Sequence, residues 1–198
     1  RKAPRKLFEH SGAHTNRVSH ELGITRQFLA YAARPWCETI VVPSNHDEHG
    51  DRWLDEGSPF DAENAELWHA GNAAMRKALR STVRGWSFSA WVLDGTGATV
   101  LARDASYVLH GIEMAWHGDM GPNGARGSTQ ALLRTCRRLS KGHDHTATIR
   151  DGVYSAGVCA HTLDYARGPS AWSVSHVVVY DNGKRCIITQ RGNEYWAK

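Results

Sequence analysis

Hydrophobic periodicity divides the chain into a helical first part and a strand-rich last part. Apolar side chains at Val18, Leu22 and Leu29 recur at helical spacing, which predicts that residues 1–34 are helical. A second helix is predicted over residues 62–80, where leucines and alanines repeat in the same way. The first part of the chain is therefore expected to pack as helices.

Short β-branched and aromatic runs predict the strands. Residues 36–42 end in Ile-Val-Val and stop at a proline, which predicts a short buried strand. A helix capped by Ser128 is expected over residues 128–139, with Arg134, Arg137, Arg138 and Lys141 on a solvated face. The other strands are predicted at residues 88–94 and 99–103 as a hairpin, and at residues 107–116, 152–160, 173–180 and 184–190.

Composition narrows the class of protein. The 198 residues are 41% hydrophobic and 22% charged, which is ordinary for a folded domain and argues against disorder. No apolar run approaches the roughly 20 residues that span a bilayer, so no membrane partner and a cytoplasmic location are expected. The four cysteines form no C-x-x-C pair, and the net charge of +4 gives a mild preference for polyanions.

Three short strings carry the candidate chemistry. The first two follow predicted strands, and the third follows the predicted helix. They are Asn45-His46-Asp47, His117-Gly118 and Gly142-His143-Asp144-His145. Neutral imidazoles and amide oxygens are ligands for divalent transition metals. The ends of strands in open α/β sheets are where ligands bind. The ordered set therefore predicts a metal site.

These strings resemble the last three of the five sequence blocks of the calcineurin-like metallophosphoesterases. That family includes phosphoprotein phosphatases, phosphodiesterases and the nuclease of double-strand-break repair. The resemblance covers about residues 39–148. It implies an α/β fold with a two-sheet β-sandwich flanked by helices, in the four-layer arrangement of the family, and a dinuclear metal centre that activates water.

The resemblance also implies a role for each residue of the blocks. One ion would be bound by Asn45, His117 and His143, and a second ion by His145. His46 would be catalytic, acting on the scissile phosphate and the leaving oxygen, with Asp47 orienting its imidazole. Two divalent ions are expected, Mn²⁺ first, with Mg²⁺, Fe²⁺ or Zn²⁺ as alternatives.

The first two blocks of the family pattern do not precede Asn45. Those blocks, D-x-H and G-D-x-x-D, would supply most ligands of one ion and the bridging carboxylate. The chain begins at Arg1 rather than Met, so we expect an N-terminal segment to be missing from it. Residues 1–198 are interpreted as a single metallophosphoesterase domain that lacks its N-terminal blocks.

The leading functional hypothesis is a metal-dependent phosphodiester hydrolase, a nuclease whose substrate is DNA. The amino-acid sequence around Asp51-Arg52-Trp53-Leu54 resembles that of phage or bacterial DNA-processing members of the family. A phage protein of this kind would act in the host cytoplasm. A homo-oligomer is compatible with the sequence. The alternatives are a phosphomonoesterase or small-molecule phosphodiesterase of the same family, and a non-catalytic binding or assembly module that has lost one metal subsite.

Several other residues are weaker candidates. His49, Asp119 and Asn123 lie near the blocks and are candidates for contact with substrate. His110 is the rival of His117 for the lone-histidine block. Residues 17–30 also resemble a helix-turn-helix signature with Gly23 at the turn, which would indicate sequence-specific DNA binding instead.

Overall fold

The fold is mixed α/β, with several helices and several small sheets. The computed structural model describes residues 17–57, 61, 63–81, 85–160, 163, 169 and 171–197. The chain divides into two compact units. The helical unit comprises residues 1–41 and 46–100, and the sheet unit comprises residues 42–45 and 101–198. The organisation of residues 1–198 as a single metallophosphoesterase domain stays a prediction.

The helical unit contains four α-helices among its described residues, together with one pair of very short parallel strands. Two-residue strands β1 and β2 pair Ile40 with Thr99 and Val41 with Val100. Strand β1 is therefore shorter than the predicted segment 36–42, and Trp36 is 84% exposed. The elements are α1 (Val18–Ala32), β1 (Ile40–Val41), α2 (Glu48–Glu56), α3 (Ala65–Arg80), α4 (Phe88–Val92) and β2 (Thr99–Val100).

Helix α1 confirms the helical prediction for the described part of residues 1–34; residues 1–16 lie outside the described part. The side-chain oxygen of Asn64 accepts a hydrogen bond of 2.8 Å from the Val18 N–H, one of the four that a helix start leaves without an intrahelical acceptor. The helix continues through Gly23 without a turn. The helix-turn-helix interpretation is therefore wrong, because its two helices would have to separate at that glycine.

The predicted hairpin at residues 88–103 is also wrong. Residues 88–92 form helix α4, and β2 pairs with β1 rather than with this segment. Two side chains satisfy the free N–H groups at the start of α4: Ser87 Oγ accepts from Ala90 N at 3.2 Å, and Asp51 Oδ1 accepts from Phe88 N at 2.7 Å. This capping favours a helix over the strand that the aromatic pattern suggested.

The sheet unit is built on two sheets. A five-stranded sheet has the order β3-β4-β5-β7-β6, and a three-stranded sheet has the order β10-β9-β8. Within the first sheet, β4, β5 and β7 run parallel to one another. The strands are β3 (Val108–Leu109), β4 (Ile112–Glu113), β5 (Leu139–Lys141), β6 (Thr148–Arg150), β7 (Val153–Ser155), β8 (Val174–Val179), β9 (Arg185–Arg191) and β10 (Glu194–Ala197).

The core of the sheet unit lies at the centre of the five-stranded sheet. Leu139 of β5 is 0% exposed and Val153 of β7 is 1% exposed. Both pack with Leu132, which belongs to the short helix α5 (Thr129–Leu132). Because β4 and β5 are parallel neighbours, the residues that follow them emerge at the same edge of the sheet.

Two sequence predictions in this unit need correction. The predicted strand 107–116 is a hairpin of β3 and β4, whose two-residue turn has φ of 50° at His110 and 71° at Gly111. The helix expected over residues 128–139 stops at Leu132. Ser128 Oγ does cap it, accepting from Ala131 N at 3.1 Å. The chain then enters strand β5, so a strand and not a helix leads to Gly142.

Strands β8 and β9 confirm the predictions at residues 173–180 and 184–190, with the Asp181-Asn182-Gly183 turn between them. Of the strand predicted over residues 152–160, only Val153–Ser155 is formed, as β7. Strands β6 and β10 were not predicted. No helix in the described part of the chain is long and apolar enough to cross a membrane.

Candidate metal centre

The structure brings together the predicted ligands His117 and His143. His117 lies four residues beyond the end of β4, and His143 lies two residues beyond the end of β5. Their ring centroids are 5.2 Å apart, with an angle of 76° between the ring planes. Two residues that are far apart in sequence meet because the parallel strands that carry them are adjacent.

The turn that presents His143 is tight and strained. Asp144 N donates to Gly142 O at 2.8 Å, and φ of His143 is 67° between them. A hydrogen bond from residue i+2 to residue i around a positive φ describes a γ-turn of the rarer, strained kind. Backbone strain of this kind concentrates at ligand and active sites.

Gly142 lies tightly against the ring of His117. A Cβ atom built at Gly142 would lie 3.3 Å from Nδ1 of His117, so a side chain here would press on the imidazole. The glycine of the G-H-D-H string therefore lets the His117 ring lie against the backbone of the turn.

An ion pair between a buried lysine and a partly exposed aspartate holds the same turn. The Lys141 side chain is 0% exposed, and its Nζ lies 2.6 Å from Asp144 Oδ2. Ser155 Oγ donates to the same carboxylate oxygen at 3.0 Å, and Lys141 Nζ also donates to Gly142 O at 3.2 Å. The prediction of Lys141 on a solvated helix face is wrong, because Lys141 ends a buried strand.

Asn45, the ligand predicted from the first block, belongs to the sheet unit. Its Oδ1 is buried and accepts no hydrogen bond from the described residues. Arg103 Nη1 donates to Pro43 O at 3.2 Å, which holds the segment that carries Asn45. A buried amide oxygen without a donor costs about 1–3 kcal/mol, so this atom calls for a partner such as a cation.

Asp119 lies two residues beyond His117 and is the second group, after Pro43 O, to which the Arg103 guanidinium donates. Arg103 Nη2 lies 2.5 Å from Asp119 Oδ2, while Asp119 Oδ1 is buried and has no hydrogen-bond partner among the described residues. Burial alone would raise the pKa of Asp119, but the hydrogen bond and charge of Arg103, helped by His117, lower it. Asp119 is therefore held as an anion beside the histidine pair.

The surroundings of His143 favour its neutral imidazole over the charged one. Burial lowers the pKa of His143, with the charges of Lys141 and His145 acting in the same direction and those of Asp119 and Asp144 opposing them. A lowered pKa keeps the imidazole neutral, and the neutral form is the one that binds metals.

His145 is half-buried, and its carbonyl oxygen accepts a hydrogen bond of 3.0 Å from Ser173 N. This contact fixes the backbone of the residue predicted to bind a second ion. The assignment of His145 to that ion stays a prediction.

The side chains of this region are of types that divalent transition metals bind. Amide and carboxylate oxygens and imidazole nitrogens suit Mn, Fe or Zn. Within the described ranges, no three His, Cys, Asp or Glu side chains are arranged to hold a metal. Buried acceptors that lack donors at Asn45 and Asp119 are what a cation would satisfy.

A cavity opens beside the histidine pair within the sheet unit. Its volume is about 260 Å³. One wall carries His117 and Asp119, and the apolar part of the lining comes from Trp116, Met120, Pro122 and Leu132. The cavity gives a small ligand access to His117 and Asp119.

The residues predicted to be catalytic belong to the helical unit. The rings of His46 and His49 are 5.4 Å apart, with an angle of 63° between their planes, and both side chains are exposed. Asp47 precedes helix α2 but makes no side-chain capping hydrogen bond. These three residues line a pocket of about 390 Å³ within this unit. Their catalytic and substrate-binding roles stay predictions.

Two weaker candidates are exposed turn residues. His110 is an exposed turn residue between β3 and β4, where its φ of 50° serves the hairpin. Asn123 is exposed in a 3-10 turn with φ of 58°. The geometry therefore favours His117 over His110 as the histidine of the fourth block.

Comparison with known proteins gives one relative and no family assignment. Protein A1 of Escherichia phage T5 is 34% identical to this chain over 200 residues, which cover 96% of the chain. The chain spans 36% of the length of that relative. No family model matches the sequence, and no solved structure matches it.

Sequence reasoning missed three residues of this region. Asp119 was considered only as a contact for substrate, Lys141 was assigned to solvent, and Arg103 was not considered. The glycine-rich run after His117 was a usable signal for Asp119, since such loops approach ligands closely. Nothing local in the sequence indicates that Arg103 reaches both Pro43 and Asp119.

Proposed function

We propose that this chain carries the last three motif blocks of a calcineurin-like metallophosphoesterase and that the protein hydrolyses phosphodiester bonds in DNA. The observation that carries the proposal is the ring contact of His117 with His143, at 5.2 Å. These residues come from two separate blocks of the predicted pattern. A chance match of short strings would have no reason to bring them together.

The chemistry of the reaction sets what each residue must do. A phosphodiester resists attack because its oxygens are negative and its leaving alkoxide is poor. Bound divalent ions lower the pKa of a water and neutralise charge at the phosphate. Asn45, His117 and His143 would hold one ion, His145 would contribute to a second, and His46 would give a proton to the leaving oxygen.

The architecture of the sheet unit supports the same family. Its five-stranded and three-stranded sheets are linked by Arg185 of β9, whose Nη1 donates to Leu139 O at 2.6 Å and whose Nη2 donates to Gly152 O at 2.7 Å. Two linked sheets agree with the sandwich that the resemblance implies. The remaining ligands of the second ion are expected from D-x-H and G-D-x-x-D blocks elsewhere in the complete protein.

DNA is the proposed substrate for two reasons. The net charge of +4 favours a polyanion, and the similar protein A1 comes from a phage. The proposed place of action is the host cytoplasm, with Mn²⁺ as the first candidate for the ion.

The test is a cleavage assay with the complete gene product on single-stranded, linear and circular DNA, with Mn²⁺, Mg²⁺, Fe²⁺ or Zn²⁺ supplied. We expect metal-dependent cleavage that is lost in His46→Ala and kept in His110→Ala, the matched substitution of an exposed histidine. Cleavage of bis-p-nitrophenyl phosphate in preference to p-nitrophenyl phosphate would separate a phosphodiesterase from a phosphomonoesterase.

A non-catalytic binding or assembly module is the second candidate. It is favoured by the lack of a finished cluster of three metal-binding side chains among the residues that the structure describes. A complete gene product that holds only trace metal and leaves every DNA form intact would establish this candidate in place of the nuclease.

A further inference from the structure

We propose that the pocket beside His46 in the helical unit holds one unstacked nucleobase of the DNA strand, next to the phosphodiester that is cut. The inference rests on the proposed function, because it takes His46 to act on that phosphodiester. The walls of the pocket come from helices α1, α2 and α4 and from the turn before α2. The site therefore belongs to the helical unit alone.

The first argument is the size of the pocket and its apolar walls. Its volume of about 390 Å³ lies within the roughly 300–1,000 Å³ of small-molecule sites. Leu22 of α1, Trp53 of α2 and Val92 of α4 each line it, so apolar surface faces it from three helices. Sites for small ligands combine such surface with a few polar groups. The pocket thus suits a ring that is largely apolar on its faces.

The second argument is the aromatic side of the pocket. Trp53 and Phe88 both line it, with ring centroids 5.9 Å apart and an angle of 77° between the ring planes. Phe88 is fixed in place, because a Cβ atom built at Gly50 would overlap its ring and because its N–H donates to Asp51 Oδ1 at 2.7 Å. Trp53 is half-buried, so part of its indole is accessible. Every base has a flat π face, and aromatic side chains are the usual platform for an unstacked base.

The third argument is charge. Among the described residues that line the pocket, Glu21 and Asp47 carry carboxyl groups, and none is a lysine or an arginine. A phosphate inside the pocket would meet two negative groups without a permanently charged cation, which is unfavourable. A base is uncharged, and its N–H groups can donate to carboxylate oxygens. The part of a DNA strand that fits this interior is therefore the base and not the phosphate.

A buried hydroxyl offers a further polar contact. Ser89 is 7% exposed and lines the same pocket. Its Oγ lies 3.5 Å from Ser87 Oγ, which is longer than the roughly 2.5–3.0 Å of a good hydrogen bond between hydroxyls. The Ser89 hydroxyl can exchange this weak contact for a shorter one to a nitrogen or oxygen of a base.

The position of the pocket connects the base with the reaction. His46 and His49 line it, and their ring centroids are 5.4 Å apart. The base and the phosphate of a nucleotide are joined through one sugar, so a base held here keeps its phosphate near these imidazoles. In a duplex the base is stacked and paired, and it must leave the helix before it can enter a pocket of this kind.

The test uses the complete gene product with Mn²⁺ and an end-labelled, single-stranded oligodeoxythymidylate that carries one abasic residue. A sequencing gel gives the cleavage rate at each phosphodiester, which is compared with the rate at the same bond of the intact oligonucleotide. We expect one of the two bonds that flank the abasic residue to be cut at least about tenfold more slowly, because the base that stacks in the pocket is missing. This comparison needs no substitution in the protein.

Two variants then place the base in this pocket. Thr25→Trp fills the pocket from the exposed surface of α1, and Gln27→Trp is the matched control, since Gln27 is also exposed on α1 but does not line the pocket. We expect Thr25→Trp to slow cleavage of the intact oligonucleotide by at least about tenfold, with no further loss at the abasic residue. Gln27→Trp should behave as the unmodified protein. Thermal unfolding verifies that both variants are folded.

Two results would overturn the inference while leaving the nuclease standing. One is normal cleavage rates at both bonds that flank the abasic residue. The other is an abasic effect of undiminished size in Thr25→Trp, which would mean that the base binds elsewhere. A gene product that cuts neither oligonucleotide would overturn the proposed function and this inference with it.

Discussion

The two units of the molecule each contain a pair of histidines in edge-to-face contact, and the pairs differ in how they are made. In the sheet unit, His117 and His143 have ring centroids 5.2 Å apart. In the helical unit, His46 and His49 have ring centroids 5.4 Å apart. Ring geometry alone therefore does not separate a candidate metal ligand from a candidate catalytic residue.

The surroundings of the pairs separate them. His46 and His49 meet through local turn geometry, since His49 N donates to His46 O at 3.0 Å, and both are exposed. His117 and His143 meet through parallel strands, a strained turn and an ion pair with a buried lysine. Buried acceptors without donors accompany the second pair. Partly buried side chains that are fixed in place and can act as metal ligands favour binding of a cation. Exposed imidazoles favour proton transfer to a bound molecule.

The largest expected effect comes from exchanging one histidine of each pair for alanine. His143→Ala should lose both bound metal and DNA cleavage, because it removes a ligand. His46→Ala should lower cleavage by about 10²–10⁴-fold, the usual contribution of a general acid, while metal content stays unchanged. Elemental analysis of the purified variants and initial cleavage rates measure the two quantities. Loss of metal in His46→Ala would remove the distinction between the pairs.

The ion pair under the sheet-unit turn gives the next largest effect. Asp144→Ala leaves the buried ammonium of Lys141 without its carboxylate. Because the Asp144 side chain is 41% exposed and Gly142 O still accepts from Lys141, this should lower the free energy of unfolding by about 1–3 kcal/mol. Asp151→Asn is the control, because Asp151 faces Arg150 at 3.7 Å with its side chain 73% exposed and asparagine tolerates its φ of 49°. Urea unfolding measures both. Equal, small changes in the two variants would show that the turn does not depend on the ion pair.

Gly23→Ala tests the helical unit. A Cβ atom at Gly23 would meet nothing within 4 Å, and the residue lies inside helix α1. The substitution should therefore raise the free energy of unfolding by about 0.5–1 kcal/mol. Thermal unfolding with circular dichroism detects the change. A loss of stability would instead indicate a turn at Gly23, as in a helix-turn-helix.

Asp51 gives the smallest effect and a pH signature. Burial raises its pKa, the hydrogen bond from Phe88 N opposes this, and the negative charges of Asp55, Glu48 and Asp47 add to it. A raised folded-state pKa means that this group's contribution to stability is full below the unfolded pKa of about 3.9 and is lost as pH rises through the folded value. Asp51→Asn should thus stabilise the protein at pH 7 by less than about 1 kcal/mol.

The control for Asp51→Asn is its own pH profile. The stabilisation should be smaller at pH 3.5 and vanish near pH 2, where the native carboxyl is protonated in both the folded and the unfolded state. The substitution keeps an oxygen for the Phe88 N–H, so the helix cap is preserved. An equal difference in unfolding free energy at pH 3.5 and pH 7 would contradict the assigned cause.

Much of the secondary structure follows from local pattern, and the failures have local causes. Helix α3 and strands β8 and β9 were predictable because periodicity and the Asp181-Asn182-Gly183 turn agree there. Residues 88–92 were misassigned because capping by Ser87 and by the distant Asp51 outweighed a strand-like alternation. A side chain 37 residues away cannot be found from local spacing.

The candidate site shows the same limit. The motif order indicated that His117 and His143 come together, and their rings do lie 5.2 Å apart, although the strand that carries His143 had been predicted as a helix. The part played by Asp119 and Arg103 depends on one guanidinium reaching two separate segments, which no spacing rule expresses. Lys141 was misplaced because the helix before it ends at Leu132, and the arginines that follow had suggested that it continues.

The most direct test of a metal centre on His117 and His143 is NMR of the histidine rings during addition of Mn²⁺ below one equivalent. Paramagnetic broadening falls off steeply with distance, so it reports which imidazoles lie beside the ion. We expect the resonances of His117 and His143 to broaden first, while those of the exposed His110 and His176 stay sharp. Uniform broadening of all histidines, or none at His117 and His143, would contradict the account.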